Sequence, residues 1–177
     1  MSEPGSGAVS EARGQLATAQ ETAALGRRLA AVLRAGDLLV LAGDLGAGKT
    51  TLTQGIADGL GVRGPVTSPT FVIARVHPSL VGGPPLVHVD AYRLGSLAEV
   101  EDLDLEASAA EAVTVVEWGA GLVEDLAGDR LEVDLVRPHG AGAAAAHPDE
   151  VPVEPRAVQL RAAGPRWSGV DLTRLLA

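Results

Sequence analysis

The chain has 177 residues, 46% of them apolar but only 2% aromatic, and a formal net charge of -9. That length suits one domain that buries roughly 70% of its unfolded surface, around a core of Leu, Val and Ala. The charge argues against unaided binding to nucleic acid or an anionic membrane, the lack of cysteine excludes disulfides and thiolate metal sites, and no apolar run reaches the ~18 residues of a membrane span.

Residues 1–11, rich in Gly, Ser, Pro and Glu, read as a disordered tail before a single domain over 12–177. The tail lacks the basic and apolar regions of a secretion signal, so a cytoplasmic location is expected. A short strand is expected around Leu16. Thr18 and Glu21 have capping-box spacing, and Leu25, Leu29, Val32 and Leu33 follow at helical intervals, predicting a helix through Arg34 that stops at Gly36. This helix either packs as an ordinary surface element or brings Thr22 close to a bound base.

An apolar strand over residues 38–42 then feeds Gly43-Asp44-Leu45-Gly46-Ala47-Gly48-Lys49-Thr50, of the form G-x-x-x-x-G-K-[ST]. A helix-compatible segment leads out through Thr51 and ends at Gly61. Strand, glycine-rich turn and helix are the context this phosphate-binding loop requires. Its glycines let backbone N–H groups cradle anionic oxygens, and the helix N-terminus adds a partial positive charge. Lys49 suits the outer phosphates and the Thr50 hydroxyl suits magnesium. Thirteen of the 14 basic residues are arginine; Lys49 is the one lysine. A compact ammonium is kept where a guanidinium fork fits poorly.

Residues 66–76 read as a polar turn running into a strand, 81–85 as a turn, and 86–93 as the next strand. The gap between these strands is too short for a helical crossover, so they should pair antiparallel and bring Ser68 and Thr70 near Asp90. Ser96 and Glu99 open an acidic helical stretch through Glu106, most simply a solvated face, with partner docking as the alternative. Residues 112–116 form a buried strand ending in Glu117-Trp118, and a short helix is expected over 122–126. Residues 131–136 alternate as a half-buried strand, 137–155 read as a mobile loop, 156–161 as an antiparallel edge strand, and 169–177 as a terminal helix. The fold class is therefore α/β: a P-loop NTPase-like mixed sheet flanked by helices, with an antiparallel hairpin and antiparallel C-terminal strands.

Two carboxylates end apolar strands. Asp90 resembles a magnesium-holding strand end, with His88 as an irregularity, and Glu117 suits the polarising of water. Thr50, Asp90 and Glu117 form the candidate metal set, and which carboxylate touches the ion is open. The four histidines show no metal-ligand spacing. The chain has no asparagine and no second lysine, so it lacks the Asn-Lys-x-Asp element of guanine readers, which favours adenine.

Together these segments resemble the TsaE (YjeE) family of P-loop ATPases of tRNA threonylcarbamoyladenosine biosynthesis. The match lies in 43–51, in Thr67-Ser68-Pro69-Thr70-Phe71, in His88-Val89-Asp90-Ala91-Tyr92-Arg93-Leu94 and in Glu117-Trp118. Three of the four aromatics, Phe71, Tyr92 and Trp118, fall inside them. The resemblance covers about Leu16 to Leu135. It departs at Ala91, where leucine is frequent, and in the long 137–155 segment.

The resemblance implies ATP and Mg2+ as cofactors, held by Asp44, Leu45, Gly46, Ala47, Gly48, Lys49, Thr50 and Thr51, with Trp118 beside the nucleotide. It implies Lys49, Asp90 and Glu117 as the catalytic set, and Ser68 and Thr70 in a switch that senses nucleotide state. It also implies a TsaB–TsaD-like protein pair as partner, with hydrolysis resetting that pair's transfer reaction and only weak turnover by the chain alone. A small-molecule kinase and a nucleotide-gated binding module without useful turnover are the alternatives.

Overall fold

Among the described residues, apolar and alternating stretches become seven strands of one mixed sheet. The computed structural model describes residues 9–68, 74–92, 109–118, 127–137 and 155–177. The strands are β1 (Ser10–Leu16), β2 (Leu38–Ala42), β3 (Ala74–His77), β4 (Leu86–Asp90), β5 (Val113–Glu117), β6 (Arg130–Val136) and β7 (Arg156–Ala163). Their spatial order is β1-β7-β6-β2-β5-β4-β3. The middle is parallel: β2 lies between β5 and β6, and β4 runs beside β5. The flanks are antiparallel, β3 on β4 at one side, β7 on β6 and β1 on β7 at the other.

Among the described residues the α-helices are α1 (Ala19–Ala30), α2 (Lys49–Leu60) and the short α3 (Leu172–Leu176). Strand side chains alternate between the two faces. Leu39, Leu41, Val113 and Val115 thus share one core with Leu25, Leu29, Leu52 and Ile56 of α1 and α2. Leu38, Val40, Val87, Val89 and Val116 form a second cluster on the other face.

The α/β class, the hairpin and the antiparallel C-terminal strands are as the sequence predicts; several boundaries are not. Ser10 and Glu11, expected in the tail, belong to β1, which pairs with β7 along its whole length. That pairing makes β7 an internal strand and not the expected edge. β3 is described from Ala74 to His77, and β4 stops at Asp90, with Tyr92 in a turn. The terminal helix starts at Leu172, where the Asp171 side chain accepts from the Thr173 and Arg174 amides. The expected helices over 96–106 and 122–126, Thr70 and Phe71, and most of the 137–155 segment lie outside the described residues.

Helix α1 starts as expected, since Thr18 Oγ1 accepts from the Glu21 amide at 3.1 Å. The reciprocal arm reaches one residue further back, with Ala17 N donating to Glu21 Oε2 at 2.6 Å. The helix ends at Ala30 and not at Arg34, because an anchor pulls the chain away. Buried Asp37 accepts from Arg34 N at 2.8 Å, and Arg166 binds both Asp37 oxygens and the Val32 carbonyl at 2.7 to 2.8 Å.

Helices α1 and α2 meet along a seam of glycines. A methyl group on Gly26 would strike the Leu52 carbonyl and lie 2.7 Å from Ile56 N; one on Gly55 would strike the Ala23 carbonyl group, with its carbon at 2.8 Å. Both obstacles are backbone, so neither can rotate aside. Helix propensity alone says Gly55→Ala should stabilise by about 1 kcal/mol. Overpacking costs roughly 1–3 kcal/mol, and the rigid neighbour places this site at the upper end. The expected result is a net loss of about 1–2 kcal/mol in urea unfolding, the sign reporting that packing wins.

Candidate phosphate-loop site

The site forms where β2 ends and α2 begins. Gly43 has φ 140° and Gly48 φ 109°, conformations that side chains rarely adopt. A methyl on Gly43 would strike the Leu135 carbonyl, so β6 packs directly against the loop. Gly48 is the N-cap of α2 and leaves the first amides of the helix without a side-chain cap. Leu45 is exposed at the loop's crest, whereas Ala47 is buried in the core beneath it.

A cavity of about 340 Å³ opens over the loop, lined by Leu45, Gly46, Gly48, Lys49, Thr50, Thr51, Ser68, Glu117, Trp118 and Arg156. Lys49 Nζ donates to the carbonyls of Gly43 at 2.7 Å and Asp44 at 3.1 Å. It also lies 3.9 Å from the centre of the Trp118 ring. Burial pushes the Lys49 pKa down from its ordinary value of 10.5, against the opposing pull of Glu117, Asp44 and Asp90. An anionic ligand would return the stabilisation that the ammonium loses on leaving water.

The carboxylates arrive by strand alternation. Leu86, His88 and Asp90 share a face of β4, and Glu117 points to the same side of β5, with Asp90 and Glu117 in register. Glu117 is 2% exposed, and its Oε1 accepts from Thr50 Oγ1 at 3.4 Å and lies 2.8 Å from His88 Nε2. Asp90, one strand further from the loop, accepts from the Tyr92 amide at 2.9 Å and does not line the cavity. Of the sequence-predicted residues, Leu45, Gly46, Gly48, Lys49, Thr50, Thr51, Ser68, Glu117 and Trp118 thus share one cavity, and Asp44 and Ala47 do not line it. Thr22 is buried against the loop, bonded to the Thr18 carbonyl at 3.2 Å, with its methyl about 3.5 Å from where a Gly48 side chain would begin.

Trp118 has φ 61°, the one non-glycine residue in the left-handed region among those described. Such a conformation costs on the order of 1–3 kcal/mol and persists where the surroundings impose it. Here the Trp118 amide donates to the Leu41 carbonyl at 3.1 Å, and Tyr92 packs edge-on at 5.3 Å.

Two features escape sequence reasoning. Arg156 reaches the loop from β7, its Nη2 3.4 Å from the Gly46 carbonyl. Only the pairing of β7 with β6, and of β6 with β2, brings this strand start to the loop end of the sheet. The other is the contact of His88 with Glu117, visible only in the register of β4 on β5.

The donors suit magnesium: a hydroxyl and carboxylate oxygens, all hard ligands. Among the described residues no three His, Cys, Asp or Glu converge. Among the described residues, no helix is long and apolar enough to cross a membrane.

Parallel strand, glycine-rich loop, helix and strand-end carboxylates define a phosphate-loop α/β protein. A family model described as threonylcarbamoyl adenosine biosynthesis protein TsaE matches residues 16–143. A Streptomyces coelicolor protein named tRNA threonylcarbamoyladenosine biosynthesis protein TsaE is 60% identical over 152 residues, covering 85% of this chain and 97% of that one. A protein of the same name from Bacillus subtilis is 44% identical over 119 residues, covering 67% and 73%. The crystal structure of Bacillus subtilis YdiB superposes with a TM-score of 0.67 at 30% identity, covering 90% of each chain. The chain belongs to the TsaE family.

Proposed function

We propose that this protein is a magnesium-dependent ATPase of tRNA threonylcarbamoyladenosine modification, acting in the cytoplasm through a TsaB–TsaD-like protein pair. The observation that carries the reading is the meeting of Lys49, Thr50 and Glu117 in one cavity at the N-terminus of α2. Lys49 and the loop amides bind and orient the phosphates. Glu117 stands beside the Thr50 hydroxyl, where a carboxylate can align an attacking water and take its proton. Magnesium, when bound through Thr50 with Glu117 or Asp90 in support, supplies charge neutralisation at the phosphates. Ser68 lines the same cavity, which suits a residue that senses what occupies it. The names of the relatives support the pathway, and the chain's net charge of -9 favours a protein partner over direct tRNA contact.

Phosphate release measured with and without the partner pair tests the reading. Weak hydrolysis alone and stimulation by the pair are expected. Glu117→Gln should lower kcat by about a hundredfold while ATP still binds. A phosphorylated acceptor in place of free phosphate would mean a kinase. Modification that proceeds undiminished with Glu117→Gln would mean a nucleotide-gated module.

A further inference from the structure

His88 sits in the middle of a fully buried strand and is itself 0% exposed. An imidazole at such a position displaces an aliphatic side chain that would pack there without polar cost. Its two nitrogens have unequal surroundings. Nε2 lies 2.8 Å from Glu117 Oε1, while Nδ1 is buried without a hydrogen-bond partner. A carboxylate can only accept, so the proton of a neutral ring belongs on Nε2. The bare lone pair of that neutral ring then falls on Nδ1, the nitrogen without a partner.

This bond divides the labour of the Glu117 carboxylate. Oε1 takes the hydrogen bonds from His88 and Thr50, and no hydrogen bond engages Oε2 among the described residues. The carboxylate cannot rotate without losing the His88 bond, so one oxygen is fixed and the other is left for the cavity. We propose that His88 is a positioning residue for Glu117, fixing Oε1 through Nε2–H so that Oε2 is the oxygen presented to the reacting water. The inference rests on the reading of Glu117 as the water-aligning group. It assigns His88 no contact with substrate.

Variants of His88, alone and with Glu117→Gln, test the proposal through kcat for phosphate release and the Kd for ATP, and nitrogen NMR reads the imidazole proton. His88→Leu should lower kcat about ten- to a hundredfold while the Kd changes less than about threefold, as loss of an orienting partner does. His88→Gln places an amide N–H near the Nε2 position and should keep kcat within about threefold of wild type. In a Glu117→Gln background, His88→Leu should cost nothing further, because the group it positions is already disabled. A merely structural role would move the Kd, gain nothing from Gln and add to the loss at Glu117. Nitrogen NMR of the imidazole should show a proton on Nε2; an Nε2 without a proton overturns the proposal. Wild-type kcat in His88→Leu, with kcat lost in Glu117→Gln, overturns it alone. Full turnover in Glu117→Gln overturns the reading of Glu117 and the proposal with it. If His88→Leu does not fold, a His88→Gln protein that folds, binds ATP and turns over a hundredfold more slowly is the overturning result.

Discussion

Lys49→Ala is expected to lose about a thousandfold in kcat/KM for ATP hydrolysis, since truncating one side of a buried, hydrogen-bonded charge contact costs about 2–5 kcal/mol. The same variant should melt at or slightly above the wild-type temperature. In the free protein the Lys49 ammonium is held against its preference, for burial lowers its pKa below 10.5. The folded state therefore binds this proton less tightly than the unfolded chain. The resulting penalty is full at lower pH and disappears as pH rises from the folded value toward 10.5. Its hydrogen bonds to the Gly43 and Asp44 carbonyls and its contact with Trp118 offset part of that cost. Lys49→Arg should not rescue activity, because a planar fork cannot occupy the place of a point charge between two carbonyls and an indole face. ATP titration and thermal melting together check the result. A variant that loses binding only because it unfolds would show the opposite melting shift.

The largest effect on stability should come from the other end of the sheet. Arg166→Ala is expected to cost about 3–5 kcal/mol in urea unfolding, as removal of one partner from a buried ion pair does. Asp37 is 5% exposed and takes two bonds from Arg166, which also holds the Val32 carbonyl. Without the guanidinium, a carboxylate and a carbonyl are left in the core at the point where α1 ends. The double variant Arg166→Ala with Asp37→Ala should recover part of the loss, because most of the cost lies in the abandoned charge.

The legible parts of the molecule were local. Gly43 to Thr50 declared a strand, a tight turn and a helix within a short span of sequence, and the runs ending in Asp90 and Glu117 declared strands by period and composition. The hairpin of β3 and β4 was legible because a short connection leaves only an antiparallel solution. What the sequence hid depends on pairing between distant segments. The region that becomes β1 carries few strong strand formers and is a strand because β7 offers it a partner. Helix α1 has apolar spacing through Leu33, yet it stops early because Asp37 and Arg166 compete for the chain. Arg156 looked like one polar residue in an alternating strand, and only two successive register choices put it at the phosphate loop. His88 looked like an irregularity, since nothing near it in sequence reveals that Glu117 faces it.

Trp118 has an optical consequence. The chain holds two tryptophans: Trp167, 2% exposed in the core, and Trp118, in contact with Lys49 and Tyr92 at the cavity. A ligand that draws the Lys49 ammonium toward phosphate removes a cation from the indole face and changes its surroundings, while Trp167 keeps its own. The protein thus carries a built-in fluorophore against a constant background, and changes in its emission would follow occupancy of the loop without a label.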